Sequence, residues 1–236
     1  MRRRRVANSF PIGVPTTGLV LYLPLWRYKD PISQVKDWSG AGNNGTVSGP
    51  TPTSLGWYFD GVNDSISVPD ATTLRFGTNP FSILLWTRPL AQGSNFPSWL
   101  SKVTTHIFNF YSYSWATSPK ICLKLNDGTN TFDTAVGNTT IRTYSGWSMV
   151  GVLVSRSLGR AWGLYNGKLD ISSAGANISG VTGAVNPTGA LKIGVDPSAV
   201  VFFKGFIGEV LVFNNRILSA GEVDNYYQST RARYGV

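Results

Sequence analysis

Gly205-Phe206-Ile207-Gly208-Glu209-Val210-Leu211-Val212-Phe213 carries apolar side chains at most positions of both parities. A strand of that pattern is covered on each face, which places it in the middle of a sheet. Trp147-Ser148-Met149-Val150-Gly151-Val152-Leu153-Val154 has the same near-continuous apolar character. In contrast, Lys120, Cys122, Lys124 and Asn126 alternate with Ile121, Leu123 and Leu125, so one face of that strand is wet. Outward from these, short apolar or alternating runs predict strands over 18–25, 55–60, 64–69, 81–88, 97–103, 106–114, 119–125, 130–136, 147–155, 159–166, 189–195 and 205–213. Asn126-Asp127-Gly128, Asn166-Gly167, Asp60-Gly61 and Asn43-Asn44-Gly45 supply the positive φ that tight turns between them need.

One segment reads as a helix, Leu218 to Tyr227, with Ser219 as its N-cap and Glu222 placed to complete a capping box. Leu218, Val223, Tyr226 and Tyr227 form its buried side. About a dozen strands and one short C-terminal helix, with no repeat and no interior linker, predict an all-β fold. The expected architecture is a two-sheet antiparallel β-sandwich over 18–236. Residues 1–17 read as an arm with little that could pack.

Composition narrows the function. The 236 residues include 21 Lys+Arg against 12 Asp+Glu, for a formal charge of +9. With 42% hydrophobic and 14% charged residues the chain buries a core rather than staying disordered. A single Cys (Cys122) excludes an internal disulfide framework. One His (His106) with that one Cys excludes the common zinc sites and removes most acid–base triads. The start, Met1 to Pro11, has four arginines but lacks the apolar run and cleavage site of a signal peptide. The most apolar early stretch, Leu19 to Trp26, contains Pro24 and is too short to span a bilayer. A protein with neither a membrane span nor a Sec-type route of export is therefore expected. Arg2, Arg3, Arg4 and Arg5 have two readings: contact with nucleic acid or an acidic partner through counterion release, or a solvated terminus.

Several motifs, in order, resemble the laminin-G-like, concanavalin A-like jelly-roll domains of cell-surface proteins and phage genomes. Gly18-Leu19-Val20-Leu21-Tyr22-Leu23-Pro24-Leu25 resembles the opening strand, and Asp37-Trp38-Ser39-Gly40-Ala41-Gly42-Asn43-Asn44-Gly45-Thr46 a family loop. Phe59-Asp60-Gly61-Val62-Asn63-Asp64-Ser65-Ile66, Pro80-Phe81-Ser82-Ile83-Leu84-Leu85-Trp86, Leu164-Tyr165-Asn166-Gly167-Lys168 and Leu191-Lys192-Ile193-Gly194 follow. The close, Gly205 to Ser219, resembles the family's terminal strand and short helix. The resemblance spans about 18–229, with 90–145 matching only in texture. It implies a concanavalin A-like jelly roll, a superfold that hosts lectins, glycanases and scaffolds.

The resemblance also implies a structural calcium held by the Asp37 loop and an acid on the terminal strand, here Asp37, Asn43 and Glu209. Relatives commonly carry a further acid where this chain has Gly208. A Gly/Asn-rich turn held by its own hydrogen bonds is the other reading of the loop. Asp60 and Asp64 read as caps on the amides of their turn. Trp99, Tyr111, Tyr113 and Trp115 lie in a crowd of aromatics, and such rings can stack on sugars while Asn and Asp bond the hydroxyls. The other reading of these rings is core or subunit interface. Ile107, Asn109, Tyr111, Tyr113 and Trp115 share one strand face, opposite His106, Phe108 and Phe110.

No catalytic residues are assigned. Jelly-roll glucanases line their carboxylates along one strand, whereas the only two Glu residues here, Glu209 and Glu222, lie on an apolar strand and a helix. A non-enzymatic role is expected. The resemblance to phage-encoded domains implies a virion structural protein (capsid, decoration or fibre), assembled in the host cytoplasm. Its partners would be copies of itself or other virion proteins, with host-surface glycans as ligands. A cellular carbohydrate-binding module is the alternative, and a glycanase the third.

Overall fold

The computed structural model describes residues 13–236 apart from 91, 93–96, 114–117 and 142–145, and of Tyr113 only the backbone. The first strands are β1 (Leu19–Pro24), β2 (Gln34–Val35), β3 (Gly45–Ser48), β4 (Thr51–Pro52), β5 (Trp57–Asp60), β6 (Ser65–Val68), β7 (Phe81–Pro89) and β8 (Ser98–Val103). They are followed by β9 (Ile107–Tyr113), β10 (Lys120–Asn126), β11 (Thr131–Ala135), β12 (Ser148–Ser155) and β13 (Arg160–Tyr165). Then come β14 (Lys168–Leu169), β15 (Ala176–Asn177), β16 (Leu191–Ile193) and β17 (Lys204–Asn214), before the helix α1 (Ala220–Thr230). Every strand expected from the sequence is present, and β2, β3, β4, β14 and β15 are additional.

The strands form two antiparallel sheets. One is nine-stranded in the order β14-β13-β12-β7-β17-β5-β4, with β1 beside β17 and β15 beside β13. The other is eight-stranded in the order β11-β10-β9-β8-β16-β6-β3-β2. β17 is central: β7 runs along one side, and β5 and β1 divide the other. This is why its two parities are both apolar. Val210 and Val212 enter the core between the sheets with Leu21, Leu23, Ile83, Leu85, Val150 and Val152. Leu211 and Phe213 point the other way with Tyr22, Leu84, Trp86 and Met149. There they meet Leu218, Val223 and Tyr226 from the helical end, and Tyr234 from the 3-10 turn Arg231–Tyr234. Each such aliphatic or aromatic side chain contributes about 1.5–3 kcal/mol on burial.

From the eight-stranded sheet, Leu123, Phe110, Leu100, Ile193 and Ile66 lie in one register row and fill the core. The adjacent row, Asp133, Lys124, Asn109, Ser101, Lys192, Ser67, Thr46 and Gln34, is polar throughout and lies on the opposite face. The strict two-residue period of these strands makes one face core and the other a polar surface.

α1 begins as the sequence indicated. The Ser219 side chain accepts from the Glu222 amide, and the Glu222 carboxylate accepts from the Ser219 amide at 3.0 Å, a complete capping box. Ahead of β1, Val14 is buried in the cluster beneath α1, and the Leu19 amide bonds the Thr16 carbonyl at 3.2 Å. No helix among the described residues is long and apolar enough to cross a membrane.

Candidate functional site

The residues expected to hold calcium are not gathered into one ligand set. Asp37 organises its own loop: Oδ1 accepts from the Tyr22 and Ser39 amides at 2.9 and 2.8 Å, and Oδ2 from Ser39 Oγ and the Asn43 amide at 2.7 and 2.9 Å. The Asn43 amide group donates to the Val20 carbonyl and to Thr73 Oγ1 at 2.7 and 3.0 Å. Gly40 and Gly42, at φ of +93° and +80°, allow the loop to wrap the carboxylate.

Glu209 is wholly buried on the other face of β17, beneath α1 and the turn that follows it. Oε2 accepts from the Tyr22 and Tyr226 hydroxyls at 2.9 and 3.0 Å. Oε1 accepts from the Tyr234 hydroxyl at 3.2 Å and from the Arg233 guanidinium. Burial pushes the Glu209 carboxyl above its ordinary pKa, and Arg233 with the tyrosine hydroxyls pulls it back. These carboxylates already receive their donors from the protein, so they do not fit a calcium site. Among the described residues no three His, Cys, Asp or Glu side chains come together to hold a metal. Gly208 has a packing reason: a Cβ there would lie 2.6 Å from the Tyr234 ring.

The aromatic set divides. Trp99 is fully buried against Phe110, with ring centroids 5.1 Å apart, and is core rather than ligand surface. The cause is a β-bulge in β8: Ser98 pairs with Tyr111 and Leu100 with Phe110, leaving Trp99 as the extra residue. Tyr111 is where alternation put it, on the outer face, donating its hydroxyl to Asp133 Oδ1 at 2.5 Å. Tyr113 pairs with Lys120 in the same strand pair, and Trp115 lies outside the described residues. Arg2, Arg3, Arg4 and Arg5 lie outside them too. Asp60 and Asp64 cap their turn as expected, Asp60 accepting from the Val62 amide at 2.7 Å and Asp64 from the Asp60 amide at 2.8 Å.

Around Tyr111 the outer face of the eight-stranded sheet forms a groove of about 420 Å³. Ile107, Asn109 and Tyr111 of β9 line it with Lys124 of β10, Asp133 of β11 and the loop residues Asp196, Pro197 and Ser198. Lys124 Nζ and Asp133 Oδ2 are 2.9 Å apart. The loop wall is rigid, because Asp196 accepts from the Val200 and Val201 amides at 2.9 and 2.7 Å and from the Ser198 amide at 3.0 Å. Asn109, only 6% exposed, has a buried Oδ1 with no hydrogen-bond partner. The groove thus offers an amide, an ammonium, a carboxylate and a hydroxyl beside the edge of Tyr111, which is 5% exposed, and such converging polar groups fix polyhydroxylated ligands. Alternation along β9 pointed to Asn109 with Tyr111. Lys124 and Asp133 were missed as a pair, although the Asn126-Asp127-Gly128 turn sets their register.

No curated protein matches the chain in sequence. Among solved structures, the binding domain of Paraclostridial Mosquitocidal Protein 1 superposes with a TM-score of 0.67 at 15% identity, over 90% of this chain and 52% of that one. Trypanosoma rangeli sialidase in complex with sialic acid gives 0.67 at 15% identity, over 93% of this chain and 34% of the sialidase. Domain 4 of AbnA, a GH43 extracellular arabinanase from Geobacillus stearothermophilus, in complex with arabinotriose, gives 0.63 at 20% identity. There the coverage is 89% of this chain and 98% of that domain. The chain therefore spans about half of the mosquitocidal domain and a third of the sialidase. At these identities the likeness is one of fold, which enzymes and binding domains share. A family model of the concanavalin A-like lectin/glucanases superfamily, of the laminin-G type, matches residues 60–224, and the chain belongs to that family.

Proposed function

We propose that this chain is a non-catalytic glycan-binding module, with the saccharide lying in the groove beside Tyr111. The observation that carries this is the groove itself, with Tyr111, Asn109, Lys124, Asp133 and Ser198 converging on one concave wall of a fold used for carbohydrates. The AbnA domain in complex with arabinotriose supports it as a separate module covered almost end to end. Hydrolysis is disfavoured by the state of the carboxylates. Asp133 accepts from Lys124 and Tyr111, and Asp196 from its own loop, so both carboxylates are spent on contacts within the protein rather than set as a pair across a scissile bond.

The test is a glycan array followed by calorimetry on the best ligand. Asp133→Ala should weaken binding about tenfold or more while leaving the fold intact. Equal affinity in that variant, or release of reducing sugar by the wild type, would overturn the reading.

A second reading, a structural component of a viral particle that assembles with copies of itself, is favoured by a different surface. An apolar hollow of about 490 Å³ lies where β13 and β14 meet α1, lined by Leu153, Leu164, Leu169 and Val223. Leu169 at its rim is 44% exposed. Apolar surface of this kind suits a second copy of the chain. In this reading Arg2–Arg5 contact the genome or an acidic neighbour. Light scattering decides: a large, defined oligomer supports assembly, and a monomer removes it.

A further inference from the structure

At one end of the sandwich, the β12–β13 turn and the loop before β16 enclose a second hollow of about 450 Å³, sharing no lining residue with the groove. Arg156 lies in its wall and is fixed there: Nη2 donates to the carbonyls of Val181 and Gly183 at 2.6 and 2.7 Å. Its Nη1 is buried without a hydrogen-bond partner. Among the described residues Arg156 forms no ion pair. The nearest acid in effect, Asp127, spends its carboxylate on the amides of Thr129, Asn130 and Gly183 at 3.0, 2.7 and 2.7 Å. Asp127 therefore acts on the guanidinium only through space, and a guanidinium stripped of water on one side, with one nitrogen unpartnered and no direct ion pair, is costly. The same hollow carries the hydroxyls of Ser157, Ser179, Thr182 and Thr78, and Leu158, 68% exposed, forms an apolar rim.

From this arrangement we propose that the hollow binds an anionic sugar unit, a uronate carboxylate or a sulfate ester, with its negative group on Arg156. The guanidinium is the planar donor such groups pair with. The hydroxyls take the ring oxygens, and Leu158 covers a C–H face. The hollow is large enough for one pyranose. The proposal stands apart from the groove reading, because no residue is common to both.

Glucuronate, glucose 6-sulfate and glucose are titrated into the full chain by calorimetry and by amide NMR. Glucuronate or glucose 6-sulfate should bind about tenfold or more tightly than glucose, and which of the two does so identifies the anionic group. Amide shifts should cluster at 157–159 and 179–182. Arg156→Gln should abolish the preference, and Arg156→Lys should keep part of it. Ser179→Ala, which leaves the Arg156 anchor to Val181 and Gly183 intact, should weaken binding several-fold and so serves if the arginine variants unfold. Equal affinities for all three sugars would overturn the proposal. So would shifts at Asn109 and Lys124 instead, which would place the anion in the groove. Absence of any neutral glycan ligand would sink the groove reading and leave this one standing.

Discussion

Glu209 meets the demand that a carboxylate without exposed surface be matched oxygen by oxygen: two donors reach Oε2 and two reach Oε1. Replacing it by Ala leaves three buried tyrosine hydroxyls and Arg233 facing a gap, so Glu209→Ala should cost about 3–5 kcal/mol in urea unfolding. A loss below about 1 kcal/mol would mean that the tyrosines find other partners. A second buried charge is Lys102, whose ammonium has no exposed surface and lies 2.5 Å from Asp70 Oδ1. Arg75, and after it Lys102, holds the Asp70 carboxyl down to about 2. Because this folded value lies below the ordinary one, Asp70 stabilises the fold above about pH 4. That contribution is lost as pH falls towards 2. Urea midpoints should therefore drop across that window in the wild type and drop less in Asp70→Asn, which should already be weaker at neutral pH. A parallel fall in both proteins would assign the acid lability to other groups. Neither charge was legible in the sequence as structural. The family resemblance makes Glu209 a metal ligand, whereas its donors come from Tyr22, Tyr226, Arg233 and Tyr234, positions that no local spacing joins. Lys102 occupies an inward position in a strand, where pattern alone predicts an apolar residue.

At the level of elements, the helix start was legible because its chemistry is local. Ser219 and Glu222 satisfy each other's orphan amides, and Ser219→Ala should cost about 1 kcal/mol. A thermal melt of that variant checks it; an unchanged midpoint would mean that docking alone holds α1. The long strands were legible for the same kind of reason, since five or more residues suffice to show either a period of two or a near-continuous apolar run. The two-residue strands β2, β4, β14 and β15 cannot show a period at all and exist because a neighbour offers hydrogen bonds. Trp99 shows the limit of alternation. The bulge at Ser98/Leu100 inserts one residue and sends the indole into the core, and no residue type in Ser98-Trp99-Leu100 announces it. Tyr111 and Asn109 lie on β9, opposite the bulge, where the alternation is unbroken, so the two share a face and the groove was half visible. The other half, Asp196 to Ser198, arrives from a distant loop.

For the molecule as a whole, the C-terminal 17 residues decide whether one face of the nine-stranded sheet is covered. The family match ends at 224, yet Tyr226, Thr230, Arg233 and Tyr234 lie beyond it. Trp86 donates to Thr230 Oγ1 at 3.0 Å and stacks on Tyr234 with centroids 4.3 Å apart, and Trp147 packs on the same ring at 4.8 Å. Removing 225–236 would open this apolar face to water and leave Glu209 with Tyr22 as its remaining partner in the cluster. The expected result is a chain that keeps sheet structure but loses fixed packing: near-UV circular dichroism collapses, a hydrophobic dye binds, and unfolding ceases to be cooperative. A truncated protein that melts within a few degrees of the full chain would show that the core between the sheets suffices. In that case α1 and the turn after it would be a lid over Trp86 and Trp147 rather than a third layer of the fold.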